Sequence, residues 1–262
     1  MEEICNDLFE EGQALEELLA GLSTEEWGLL TPFSEWTIKD EVSHLAYFDR
    51  LARISATDEG RCSEIMAELA GLADFFQETL AEGRALAPAE LFSWYRTERR
   101  EMIEAFRRLD PKTRVPWQMP MSARSSATAR LMETWAHGQD VFDTLGVEHK
   151  ASQGLRHIAH LGVATFGWSF KCRGMEAPSE AVRVELKGPS GEPWAWGPEA
   201  AENRISGNAK DFCLVVTQRR HYLDTRLRVS GKTAELWMQY AQAFAGPPAL
   251  GPPAGRFSME KQ

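Results

Sequence analysis

The sequence predicts an α+β chain: an antiparallel helix bundle over residues 1–172, a small α/β domain over 178–246, and a Pro/Gly-rich tail over 247–262. Three observations predict it. Apolar residues recur at three- and four-residue spacing through the first two thirds of the chain. After Pro178 the pattern changes to alternation broken by Gly and Pro. Over 262 residues, 43% hydrophobic and 26% charged side chains supply enough apolar material for a sizeable core.

Each element follows from local chemistry. In "EEICNDLFEEGQALEELLAGL", Ile4, Leu8, Leu15, Leu18 and Leu19 share a helical face, and Gly21 marks the end. Pro32 forbids a continuous helix through the following loop. A second helix, "WTIKDEVSHLAYFDRLARIS", opens on Thr37 with Asp40 three residues later, a capping-box spacing. A third helical region spans about 63–80, and Pro88 opens another that ends at Asp110-Pro111. "VPWQMPMSARSS" reads as a loop. "ATARLMETWAHGQDVFDTLG" reads as a helix stopped by Gly146, and a further helix covers about 154–171. Val182, Val184 and Leu186 alternate in a strand, followed by a turn and a second strand. "NRISGNAKDFCLVVTQRR" gives a short strand, a turn at Gly207 and a helix. "TRLRVSG" is a further strand, and "KTAELWMQYAQAFAG" is the last helix.

A net charge of -10 argues against binding nucleic acid or an anionic membrane surface. Cys5, Cys62, Cys172 and Cys213 form no C-x-x-C motif and read as free thiols of a reducing compartment. The first residues are acidic where a signal peptide would be basic, and no run approaches the ~20 apolar residues of a membrane span. The expected location is the cytoplasm.

The chemistry centres on "ETWAHGQD". Glu133 and His137 stand four residues apart and face the same way on a helix. Such a pair is a surface decoration, a buried hydrogen-bonded couple, or part of a metal site. His44 lies mid-helix between apolar neighbours, and helical bundles build metal sites from facing helices. His44, Glu133 and His137 together would make a three-ligand site with an open position, the pattern of catalytic zinc. Asp140, one turn beyond His137, could orient that ring.

The segment Trp36-Thr37-x-x-Asp40-x-x-x-His44-Leu45, followed by Arg130-x-x-Glu133-x-x-x-His137-x-x-Asp140, resembles the DinB-like superfamily. It resembles most closely the mycothiol-dependent maleylpyruvate isomerase family of actinobacteria. The resemblance covers nearly the whole chain. It implies a DinB-like four-helix bundle with the family's metal ligands on His44, Glu133 and His137, zinc as the expected metal, and nickel or iron as alternatives. It implies mycothiol or a similar low-molecular-weight thiol as cofactor. A cis–trans isomerisation would then run by thiolate addition, bond rotation and loss of the thiol. The family's C-terminal Gly-Arg stands here as Gln218-Arg219, which places its arginine, a catalytic candidate, on Arg219.

Other polar residues have plainer readings. His157 and His160 share a helical face and read as a surface or interdomain pair, and His149 reads as exposed. Arg219, Arg220 and His221 form a basic cluster able to hold a carboxylate. Trp117, Met119 and Met121 are candidates for an apolar pocket near the metal end of the bundle. The expected function is a thiol-dependent isomerase or transferase acting on a small, anionic substrate, as a monomer or homodimer. The alternative is a non-catalytic metal-containing protein that sequesters a small apolar ligand between bundle and C-terminal domain.

Overall fold

The computed structural model describes residues 1–33, 35–72 and 74–257. It divides into two compact units, Met1–His149 and Lys150–Gln262. The helical stretch 154–171, expected to close the N-terminal bundle, therefore groups with the C-terminal unit.

The N-terminal unit contains α1 (Glu2–Leu19), α2 (Ile38–Thr57), α3 (Glu59–Ala70), α4 (Phe75–Ala85), α5 (Pro88–Arg107) and α6 (Ala123–Leu145), with a short hairpin of β1 (Arg114–Val115) and β2 (Met121–Ser122) before α6. Helices α1, α2, α5 and α6 pack on one another as the four-helix bundle, and α3 and α4 lean on α2. The core joins Leu15 and Leu19 of α1, Val42 and Leu45 of α2, Leu91 and Tyr95 of α5, and Val141 of α6. A smaller cluster collects Phe48, Leu51, Cys62 and Leu69 beneath Phe75 and Trp117.

Local signals set the boundaries. Thr37 and Asp40 form the expected capping box, with Thr37 Oγ1 accepting from the Asp40 amide at 3.2 Å and Asp40 Oδ2 accepting from the Thr37 amide at 3.0 Å. Gly146 ends α6 at φ 64°, a left-handed conformation that favours glycine. The helical region expected over about 63–80 is two helices, α3 and α4. Asp58 caps α3 and Asp74 caps α4, each accepting an amide hydrogen bond from three residues on. The expected loop before α6 is the β1–β2 hairpin, and α6 starts at Ala123 because Ser122 accepts from the Ser125 amide at 3.1 Å. Helix α4 lies so close to α2 that a Cβ on Gly83 would collide with the Ser43 side chain.

The C-terminal unit begins with α7 (Leu155–Ala164) and α8 (Phe166–Lys171). There follow β3 (Val182–Lys187), β4 (Pro193–Trp196), β5 (Asn203–Asn208), α9 (Ala209–Val216), β6 (Arg228–Ser230) and α10 (Lys232–Tyr240). The sheet order is β4-β3-β5-β6, with β3 and β5 parallel and the outer pairs antiparallel. Val184, Leu186 and Ile205 are buried on this sheet. Beside it, the rings of Phe166 and Phe212 pack against Trp237 at 5.1 and 5.9 Å. The chain after α10 is tied down where described: Gln218 Nε2 donates to the Ala249 carbonyl at 2.6 Å, and Asp224 accepts from the Gly255 amide at 2.8 Å. Among the described residues, no helix is long and apolar enough to cross a membrane.

Candidate metal centre

Helix α6 is buried around most of its circumference, yet it carries Arg130, Thr134, His137, Gln139 and Asp140 inside. Buried polar groups are tolerated when they are paired. Two sets of partners, both reaching across from α2, account for much of this polarity.

The first set is the predicted triad. His44 Nε2 lies 3.4 Å from Glu133 Oε2, and His137 Nε2 lies 3.1 Å from the same oxygen. The two imidazole centroids are 4.4 Å apart. One donor atom from each of the three residues falls within 4.8 Å of the others. The helical spacings predicted faces; the fold makes them converge.

His137 is held from behind. Its Nδ1 lies 2.6 Å from Glu41 Oε2, and Thr31 Oγ1 donates to Glu41 Oε1 at 2.6 Å. A neutral His137 that donates its Nδ1 proton to Glu41 would turn an Nε2 lone pair to a bound cation, in place of the Nε2 contact with Glu133. This is the carboxylate–histidine arrangement that fixes a ligating imidazole. Asp140 belongs to the same neighbourhood, with a carboxylate oxygen within 4.8 Å of the donor atoms of Glu41 and His137. The carboxylate on Nδ1, however, is that of Glu41, which the sequence reading did not nominate. A signal was present: Glu41 precedes His44 by three residues and so shares its helical face.

Burial, then the neighbouring His137, pushes the His44 imidazole down to about 4. It is therefore neutral near pH 7, as a metal ligand must be. Burial alone would raise the Glu133 carboxyl, but hydrogen bonds from His137 and His44 hold it well below the usual carboxylate range. The side chains of His44 and His137 are 10% and 6% exposed and that of Glu133 is 24% exposed, so the centre opens on the Glu133 side. Two neutralisable imidazoles and one carboxylate, converging from two rigid helices, fit a divalent cation.

The second set supports the first from below. Asp49 of α2 is fully buried and bridges Arg99 at 2.7 Å and Arg130 at 2.9 Å. Arg99 also donates to Thr134 Oγ1 at 2.6 Å. The Arg130 guanidinium lies 6.0 Å from the Phe48 ring, which packs 4.6 Å from the His44 ring.

The remaining candidates are placed as follows. His149 is buried rather than exposed, stacked on Phe142 at 4.2 Å, with Nε2 2.7 Å from Glu11 Oε1. Arg219 sits in the turn after α9, buried, donating to the Thr217 carbonyl at 2.8 Å. Trp196 Nε1 donates to His160 Nδ1 at 3.2 Å. Trp117 packs on Phe48 at 6.4 Å, one ring removed from His44, whereas Met119 is exposed. Burial pushes the thiols of Cys5, Cys62 and Cys213 up, so none of these three is poised as a nucleophile.

The family described as "Mycothiol maleylpyruvate isomerase N-terminal domain" matches residues 8–142, and the family described as "Wyosine base formation" matches residues 178–229. Uncharacterized proteins of Mycobacterium tuberculosis strains CDC 1551 / Oshkosh and H37Rv are each 44% identical over 247 residues, covering 94% of this chain and 96% of the relative. Crystal structures of mycothiol-dependent maleylpyruvate isomerase and of a histidine-to-alanine mutant of it align with a TM-score of 0.60 at 17% identity, over 95% of both chains.

Proposed function

The chain belongs to the mycothiol maleylpyruvate isomerase family, and from that premise we propose that it is a metal-dependent enzyme using a low-molecular-weight thiol, mycothiol or a close analogue, to isomerise or modify a small substrate. The metal ligands are His44, Glu133 and His137, and zinc is the proposed metal. The observation that carries this reading is the convergence of the three donor atoms from the N-terminal half of α2 and the middle of α6, with His137 held by Glu41.

A divalent cation bound there would supply Lewis acidity sufficient to keep a thiol as its nucleophilic thiolate near neutral pH. The protein's own groups do the rest. Glu41 keeps the proton of His137 on Nδ1. Thr31 holds Glu41 in place by donating to its other oxygen. Packing beside Trp36 and Phe48 keeps His44 desolvated and neutral. The open Glu133 side is where small molecules enter. Arg219 of the C-terminal unit is proposed for an anionic group on its side-chain chemistry alone, because a guanidinium offers a planar fork of donors matched to a carboxylate.

The test is turnover of metal-loaded protein with mycothiol across a panel of cis-enoate acids and electrophilic transfer substrates. The proposal expects thiol-dependent turnover that His44→Ala abolishes. Arg219→Gln is expected to raise KM for anionic substrates more than it lowers kcat. Tight binding of a small apolar ligand with no thiol-dependent turnover would favour the alternative, a non-catalytic metal-containing binding protein.

A further inference from the structure

The walls of the centre carry information about what it accepts. Trp36 stacks on the His137 ring at 5.7 Å and 16°, and it also touches His44 at 5.3 Å. Phe33 meets His137 edge-on at 5.3 Å. Phe76, at the start of α4, packs edge-on against Trp36 at 5.5 Å and is nevertheless 46% exposed. A row of packed rings thus runs from the ligand imidazoles through the buried Trp36 to Phe76, which is exposed at the outside of the N-terminal unit.

The charges around it are already matched. Every arginine on α2, α4 and α6 is paired with a carboxylate: Arg50 with Glu82, Arg53 with Glu98, Arg84 with Asp40, Arg124 with Glu3 and Arg130 with Asp49. Lys39, the lysine of α2, donates to the Arg84 carbonyl. The cations on these helices are therefore already engaged, Arg124 only through an exposed 3.8 Å pair with Glu3, while the rings of Trp36 and Phe76 line the approach to the ligand imidazoles.

Resting on the metal–thiol reading above, we infer that Phe76 and Trp36 form an apolar subsite beside the centre, and that the molecule engaged there carries a ring-sized apolar group next to its reacting atom. Any anionic part of that molecule points away from α2, α4 and α6. Phe76 is the specificity-determining residue, since it is exposed and can be shortened without opening the core.

The experiment uses the full-length protein loaded with cobalt(II), read by thiolate-to-cobalt absorbance. Benzyl mercaptan is compared with 2-mercaptoethanol and with 2-mercaptoethanesulfonate. The subsite predicts that benzyl mercaptan binds at least about tenfold tighter than 2-mercaptoethanol, as burial of part of an aromatic ring requires. Phe76→Ala should remove most of that advantage and leave the affinity for 2-mercaptoethanol within about twofold, since the short thiol does not reach the ring. Equal or tighter binding of 2-mercaptoethanesulfonate, or equal losses for both neutral thiols in Phe76→Ala, would overturn the inference. A parallel titration with 4-nitrobenzyl alcohol, read by tryptophan quenching, separates the two readings. If no thiol gives a cobalt band, saturable quenching that Phe76→Ala weakens sustains the subsite while the thiol chemistry falls. Without saturable quenching the subsite falls as well.

Discussion

Replacing Glu41 by Gln changes one oxygen to an amide at a site with no solvent to compensate. In the structure, the two carboxylate oxygens of Glu41 each take one 2.6 Å contact, from Thr31 and from His137 Nδ1. A glutamine has one acceptor and one donor end. If its NH2 faces His137, Nδ1 must become the acceptor, the ring proton is fixed on Nε2, and the lone pair that would bind the metal is lost. If its oxygen faces His137, the tautomer survives, but the charge that makes the imidazole a stronger ligand is gone. Groups in this position typically contribute about 10–100-fold to metal affinity. That range corresponds to about 1.4–2.8 kcal/mol. The assay is competition for zinc against a chromophoric chelator at fixed pH, with circular dichroism confirming the fold. Thr31→Val, which removes only a ~1 kcal/mol hydrogen bond one group further out, should weaken binding less than Glu41→Gln. Unchanged zinc affinity in folded Glu41→Gln would refute the argument that Glu41 sets the state of His137.

The other predictions are these. Asp49→Ala strands two buried guanidiniums and should destabilise the protein by about 3–5 kcal/mol in urea unfolding, whereas Arg124→Ala, at an exposed pair, should change stability by well under ~1 kcal/mol. Gly83→Ala should cost about 1–3 kcal/mol because its new methyl group meets Ser43, and Ser43→Gly in the same chain should restore most of the loss. The metal-free protein should lose stability as pH falls from about 6.5 to about 4. Across that window the unfolded chain protonates His44 while the folded chain, with its imidazole pushed down, does not. Unfolding free energies from urea titrations at pH 7.5 and pH 5 should therefore differ less in His44→Ala than in the parent chain.

Much of the fold was legible because its signals are local. Helical periodicity, the Thr37–Asp40 box and the Gly146 stop are each written within a few residues, and all stand in the structure. The division of the third helical region into helices ending at Ala70 and starting at Phe75 was missed because apolar spacing continues from one to the other, although Asp58 and Asp74 are both cap residues. At the site, the sequence could place His44, Glu133 and His137 on faces, but only packing of α2 against α6 sets a 4.4 Å separation between the two imidazoles. Glu41 and Asp49 went unnominated for the same reason. An acidic residue on a helix looks solvated until its partner arrives from 81 or 96 positions away. His149 shows the error in reverse: it follows a glycine stop, which suggested exposure, yet Glu11 of α1 draws it inside.

The central claim is that His44, Glu133 and His137 hold one divalent cation. Titration of the metal-free protein with cobalt(II), followed by its visible ligand-field spectrum, tests this most directly. The account predicts saturation at about one ion per chain with a tetrahedral-type spectrum, and loss of that spectrum in His44→Ala, Glu133→Ala and His137→Ala. Absence of saturable binding, or an unchanged spectrum and affinity in His44→Ala, would contradict it.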